Sequence, residues 1–314
     1  MSFEPDRSSP IKLISAIVVA WIVVLGFAGV MITPRVVSGN SLLTNQIWIR
    51  DPFIVPVDGV YYMTGTTALD GVLMYHSTDL DHWTPDKYIY KQNYSSTWIG
   101  ADAYFWAPEI HQDGLFYMLF SGKTSKTNMA TGVAVSSSIA GSYADVGPIT
   151  PANASCIDGT LFRDDDGVQY LVYASNGVSI QELSPDYIRI DGRARVLFNA
   201  SDLSWIDHAG DAPNVTEGIS VLKQDNVYYI FFSTHHDGGW YCVSYAWATS
   251  LLGHYNQLGH PIVDKGGHCS FFHRNDGQLM IAYHSQLLPT HLFTFDEHAI
   301  FQPINLASGE WIVG

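Results

Sequence analysis

Residues 217–233 read EGISVLKQDNVYYIFFS, and the fold is decided by how often that pattern returns. An acidic residue opens it, an apolar stretch follows, Asp225-Asn226 interrupts, and a run of Tyr, Ile and Phe closes on Ser233. Asp-Asn and Asp-Gly pairs tolerate the positive φ angles of tight hairpin turns, and β-branched and aromatic residues suit a pleated, packed surface. The segment therefore reads as a β-hairpin. The same order of parts returns as DPFIVPVDGVYYMTGT from Asp51, EIHQDGLFYMLFS from Glu109, DGTLFRDDDGVQYLVYAS from Asp158 and HCSFFHRNDGQLMIAYHS from His268.

A weaker signature follows most of these hairpins: STDLDHW at Ser77–Trp83, SSSIAGSY at Ser136–Tyr143, SPDY at Ser184–Tyr187 and SLLGHY at Ser250–Tyr255. It reads as the turn between a third and a fourth strand. Four strands in each repeat of about 50 residues is the arithmetic of a propeller blade. The predicted fold class is all-β, a five-bladed β-propeller over residues 45–314, preceded by a single N-terminal hydrophobic helix. Innermost propeller strands surround a channel, so the opening residues Asp51, Glu109, Asp158, Glu217 and His268 are expected around its mouth. Four carboxylates converging on one imidazole raise each other's pKa, a cost that points to a functional site.

Outside the repeats, Leu13–Ile32 is a charge-free run of 20 residues. As a helix it spans about 30 Å, the thickness of a bilayer core. Signal-peptide cores are usually shorter, which favours an uncleaved anchor, although Val37-Ser38-Gly39 offers a cleavage site. The expected organisation is a tail at 1–12, an anchor or signal segment at 13–33, a linker at 34–44 and the propeller. Arg7 and Lys12 before the run leave the propeller outside the cytoplasm, membrane-anchored or, after cleavage, secreted.

Composition narrows the partners. With 30 acidic against 15 basic residues, the formal net charge is −15, which repels phosphate backbones and argues against nucleic acid. Cys156, Cys242 and Cys269 form no CxxC pair, so they are read as buried thiols, with one disulfide as the alternative. Sequons stand at Asn93, Asn153, Asn199 and Asn214. His235, His236 and His273 are read as loop or surface residues, and Asp164-Asp165-Asp166 as a solvated turn.

Hydrolysis of a glycosidic bond needs one protonated carboxyl and one ionised carboxylate, and the repeats supply candidates for both. Here the chain resembles glycoside hydrolase family 43 from about Ile47 to its end. The resemblance is carried by Arg50-Asp51-Pro52, Ser77–Trp83, Trp106-Ala-Pro-Glu109, Ile157-Asp-Gly-Thr-Leu-Phe162, Thr216-Glu-Gly218 and Gly266-Gly-His268, in that order. It implies an inverting glycosidase of arabinose-, xylose- or galactose-containing polysaccharides, with carbohydrate as the partner and a monomer as the unit. Asp51 would be the general base, Glu217 the general acid, and Asp158 the residue that tunes and orients the acid. Phe53, Trp106, Glu109 and His268 are the candidate substrate-binding residues, with Trp106 read either as a sugar-stacking wall or as loop packing and Glu109 as structural more than catalytic. No cofactor is required by the resemblance, but a structural calcium with water ligands beside His268 is a candidate. Ile219 stands where many members carry proline, which bears on loop shape and not on the acid. The alternative function is a glycan-binding, lectin-like propeller without catalysis.

Overall fold

The computed structural model describes residues 41–68, 70–92, 98–100, 104–124, 128–150, 155–206, 215–236, 238–288 and 296–314. These form five antiparallel sheets, each continuous in sequence, and contain no α-helix. The first blade runs Arg50–Val57, Val60–Thr66, Gly71–Ser77 and His82–Lys91, with Leu42–Leu43 on its outer edge. The second holds Phe105–Asp113, Leu115–Lys123, Met129–Ser136 and Ala144–Pro148; the third, Ile157–Arg163, Gln169–Ser175, Gly177–Leu183 and Arg195–Phe198. The fourth holds Glu217–Gln224, Val227–His236 and Trp240–Ala248, with two short outer strands, and the fifth holds Gly266–His273, Leu279–Ser285, Ala299–Ala307 and Glu310–Val313. The expected helix at 13–33, the anchor and the linker up to residue 40 lie outside the described residues; among those described, no helix is long and apolar enough to cross a membrane.

The hairpin turns use more than one geometry. Asp58-Gly59 and Asp225-Asn226 have positive φ at both residues, as a two-residue turn with the twist of its strands requires. The third and fifth blades instead turn through Asp164–Val168 and Arg274–Gln278, closed by backbone bonds and a positive-φ glycine at 167 and 277. The weaker signature does fall between third and fourth strands. Its closing aromatic plugs the blade: Trp83, Tyr143, Tyr187 and Tyr255 are all buried. The hydroxyls of Tyr143 and Tyr255 donate to the carbonyls four residues back, at 3.1 and 3.0 Å. Trp83 is fully buried, and its indole N–H donates to Thr44 Oγ1 at 3.0 Å and Leu80 O at 3.1 Å. Trp83→Ala should therefore cost about 3–5 kcal/mol, read as a lower denaturant midpoint at unchanged slope.

Packing and cross-blade bonds hold the ring, since no sheet is shared between blades. The aspartates at 164–166 are more than a solvated turn. Lys223 Nζ donates to Asp164 and Asp165 at 2.6 and 2.7 Å, and the Tyr228 hydroxyl meets Asp164 at 2.8 Å, tying the third blade to the fourth. The fifth blade closes on the first through one apolar cluster that includes Ile49, Met63, Phe272 and Met280. Across the same seam Ser270 Oγ donates to Pro52 O at 2.7 Å, and the Trp48 indole donates to Glu297 at 2.9 Å. The three cysteines are buried thiols that form no disulfide with one another, in agreement with the thiol reading.

Candidate active site

Each innermost strand carries the same irregularity. Its pairing with the second strand slips between Arg50 and Phe53, Trp106 and Glu109, Ile157 and Thr160, Glu217 and Ser220, and Gly267 and Ser270. The first residue of each bulge has positive φ: Asp51 at 53°, Ala107 at 46°, Asp158 at 54°, Gly218 at 61° and His268 at 55°. Four of these are not glycine, and left-handed backbone costs an L-residue roughly 1–2 kcal/mol. Bulges re-aim side chains and tolerate proline, which is why Pro52 and Pro108 are accepted inside strands.

The bulge also corrects the phase of the repeat. The equivalent positions are Asp51, Ala107, Asp158, Gly218 and His268, so the opening residues of the repeat do not all occupy one level. Glu217 stands one residue before its bulge, in register with Arg50 and Trp106. Glu109 stands two residues after, in register with Phe53. The acids look alike in sequence, but the slipped pairing separates them along the strand. Glu109 is buried and meets His111 Nε2 at 3.1 Å, while Phe53 packs its ring on the same His111, 5.4 Å between centroids. Trp106 is half-buried and tilts against Tyr104 at 5.3 Å.

The bulges are held by a ring of hydrogen bonds that passes from blade to blade. The N–H of Ala107 donates to Thr66 Oγ1 at 2.9 Å, that of Asp158 to Ser121 Oγ at 2.9 Å, and that of His268 to Ser233 Oγ at 2.7 Å. Thr66, Ser121 and Ser233 share one register position, near the end of each second strand. Ala174 fills that position in the third blade and has no hydroxyl, so the Gly218 N–H donates instead to Asp158 Oδ2 at 2.8 Å. His284 fills it in the fifth, and its Nδ1 accepts the Asp51 N–H at 3.1 Å. Gly218 is required twice over. It adopts positive φ, and a Cβ there would lie 2.9 Å from His268 Cα.

This scaffold brings Asp51, Asp158, Glu217 and His268 together. His268 Nδ1 lies 3.2 Å from Asp51 Oδ1 and 3.8 Å from Asp158 Oδ2. Thr66 donates to Asp51 Oδ2 at 2.5 Å, Ser121 to Asp158 Oδ1 at 3.4 Å, and Tyr241 to Glu217 Oε1 at 2.9 Å. Burial would discharge His268, but the surrounding carboxylates of Asp51, Asp158, Glu217 and Glu109 outweigh it and raise its pKa, favouring the imidazolium. Burial would also raise the Asp51 carboxyl, yet the His268 charge, Arg50 and the Thr66 hydroxyl bring it down to about 2. His284 contributes to that only as a dipole. Burial and Arg50 hold it well below the usual imidazole range, and an Nδ1 that accepts an N–H carries no proton, so its 3.5 Å approach to Asp51 is not an ion pair.

Glu217 goes the other way. Burial first, then the Asp158 carboxylate, push it up to about 7 against the opposing pull of His268 and Tyr241. Asp158 is itself raised, by burial and by Asp51 and Glu109, with His268 and the Gly218 N–H pulling back. One site thus holds an ionised carboxylate and a protonated carboxyl across a shared cation, the arrangement that acid–base chemistry at a single bond needs. Calcium prefers oxygen ligands. The nearest carboxylate oxygens already face the charged His268, and among the described residues no three or more His, Cys, Asp or Glu are grouped to hold a metal. The described residues thus do not fit a directly ligated cation.

Sequence reasoning missed Tyr241, His284 and the hydroxyls of Thr66 and Ser121. His284 carried a signal: it interrupts a position where three blades have Ser or Thr. His235 and His236, expected at the surface, are buried at the end of the second strand of the fourth blade, and His236 Nε2 meets Asp264 at 2.8 Å. His273 is exposed, as expected. Ile219, at the family's proline position, is fully buried in the core between the third and fourth blades.

The chain is 22% identical over 263 residues to xylosidase/arabinosidase 43B of Humicola insolens, covering 74% of this chain and 46% of that protein. It is 26% identical over 281 residues to a putative beta-xylosidase of Escherichia coli K12, covering 80% of this chain and 47% of that one. The chain thus spans about half the length of these two curated relatives. Among solved structures, the endo-arabinase from Bacteroides thetaiotaomicron superposes with a TM-score of 0.78 at 25% identity, over 86% of this chain and 99% of that one. The pattern that defines the glycosyl hydrolases family 43 matches residues 44–312, and to that family this chain belongs.

Proposed function

We propose that the protein is an inverting glycoside hydrolase of arabinose-, xylose- or galactose-containing glycans, with Asp51 as general base and Glu217 as general acid. The observation that carries this is the split in proton affinity between two carboxyls of one site, about 2 at Asp51 and about 7 at Glu217. Glu217 gives its proton to the leaving glycosidic oxygen as the C–O bond breaks. Asp51 takes a proton from a water whose oxygen bonds the anomeric carbon from the opposite face. Thr66 and His268 fix the Asp51 carboxylate so that its remaining lone pairs face that water. Asp158 keeps Glu217 protonated by its charge and holds the acid's backbone through the Gly218 N–H. Trp106 serves as a sugar-facing wall. We further propose that residues 13–33 anchor the propeller outside the cytoplasm.

Nuclear magnetic resonance during hydrolysis tests the stereochemistry. The first product formed should carry the anomeric configuration opposite to that of the substrate, before mutarotation. Retention would require a nucleophile in place of the base and would overturn the inverting assignment.

The pH profile of kcat/KM follows from the same groups. Activity needs Asp51 ionised and Glu217 protonated, so the profile should hold from about pH 3 upward and fall through about 7. The Asp158 anion raises Glu217, so Asp158→Asn removes that push and should move the alkaline limb to lower pH. A limb that stays put would take Asp158 out of the tuning role.

A further inference from the structure

We propose that Tyr241 is a positioning residue for the general acid: its hydroxyl fixes Glu217 through Oε1 and leaves Oε2 to carry and deliver the proton. The inference rests on the reading of Glu217 as the acid and extends it to a residue on a different strand of the same blade.

The geometry is unusually constrained for a tyrosine. The hydroxyl lies 2.9 Å from Glu217 Oε1. The ring contacts two imidazoles, stacking on His284 at 5.4 Å and 22° and tilting against His235 at 5.0 Å and 42°. Gly267 presses on its edge, where a Cβ would come within 2.3 Å of two ring carbons. The Tyr241 backbone N–H is bonded to the Gln286 side chain. These contacts with His284, His235 and Gly267 fix the ring, and the hydroxyl it carries is bonded to Glu217.

The chemistry follows from donor counts. Burial, and then the charges of Glu217, Asp51 and Asp158, push the Tyr241 hydroxyl well above its ordinary range against the pull of Arg50, so it stays a donor. A phenol has one hydrogen to give, and it is given to Oε1. The acidic proton of Glu217 then resides on Oε2. The bond favours the ionised carboxylate, offsetting part of the rise imposed by burial and Asp158 and keeping the acid strong enough to release its proton. The stack does a second thing. His284, face to face with Tyr241, holds the Asp51 N–H, so the base and the acid are registered on one pair of rings.

The test is Tyr241→Phe in the full chain, with kcat/KM measured against pH on an unactivated oligosaccharide and on a nitrophenyl glycoside that the protein hydrolyses. Losing the donor should raise the alkaline limb by about one pH unit, since a hydrogen bond to a charged group is worth about that. Plateau turnover of the oligosaccharide should fall about tenfold, while the nitrophenyl substrate, which needs little protonation, stays within about twofold. A residue that only packs would lower both substrates together and leave the limb in place, and that result overturns the proposal.

Fluorotyrosine at 241 keeps the shape and strengthens the donor, so the limb should move down; this readout serves if the Phe variant unfolds. A limb unmoved by the fluorotyrosine would count equally against the role. In a Glu217→Gln background Tyr241→Phe should add nothing. If Glu217→Gln itself spares oligosaccharide turnover, the acid assignment has failed. If Glu217→Gln abolishes turnover and neither Tyr241 variant moves the limb, only the positioning role has failed.

Discussion

Glu217→Gln will hydrolyse unactivated oligosaccharides about a thousandfold more slowly than the parent protein, within the range of about 10²–10⁴ that a positioned general acid supplies. The amide keeps the size of the side chain and can still meet the Tyr241 hydroxyl, so the fold and the pocket survive. What disappears is the proton held in reserve near neutral pH by burial and by Asp158. A sugar alkoxide is a poor leaving group and needs that proton as the bond breaks. Nitrophenolate does not, so the same variant should lose about tenfold or less on nitrophenyl glycosides. The ratio between the two losses is the diagnostic, because a misfolded or mispositioned site would lose both alike. The Gln variant should also lose the alkaline limb near 7. Equal losses on both substrates, with the limb retained, would remove Glu217 from the acid role.

The sequence exposed the architecture because propeller hairpins repeat their chemistry where the backbone forces it. Turns need residues that tolerate positive φ, and third-to-fourth-strand corners need an aromatic plug, so the Asp-Gly pairs and the Ser-to-Trp/Tyr signature recur. Asp51, Asp158, Glu217 and His268 were legible for the same reason, since they open repeats. The offset of Glu109 and Glu217 was not. A bulge inserts a residue into pairing without marking the sequence, and Ala107 in a bulge looks no different from alanine in a strand. The inward turn of Tyr241 was hidden more deeply. In WYCVSYAWA, residues 240–248, aromatics fall on both faces of the strand, and which one meets Glu217 depends on the neighbouring blade. His284 fell between these cases. Its place in the repeat was visible, but its neutral state depends on accepting an N–H from the first blade, more than two hundred residues away in the chain. Local rules write the strands; contacts between the first and last blades write the charges.

Asp51→Asn should be the more damaging of the two substitutions, because it removes a function that no leaving group can replace. Water must lose a proton as it attacks, whatever departs, so oligosaccharides and nitrophenyl glycosides should both slow by about 10³-fold or more. An amide oxygen accepts a proton far more weakly than a carboxylate held near 2, and the tight Thr66 bond leaves it no freedom to reorient. The second consequence is structural. His268 would lose the nearest of the carboxylates that hold it charged, leaving the more distant Asp158 and its other acidic neighbours to balance it against burial. Removing one partner of a buried pair costs about 3–5 kcal/mol, and the surviving partner puts this case at the lower end. Thermal unfolding should therefore shift down measurably while the propeller still forms, and activity must be compared well below that transition. The third consequence tests the electrostatics. Asp51 contributes to the upward push on Glu217, so residual activity in Asp51→Asn should show an alkaline limb displaced to lower pH. Loss on one substrate class only would mean that Asp51 assists departure instead of attack. Loss on both, together with a lowered limb, ties base, cation and acid into one electrostatic unit built on five bulges.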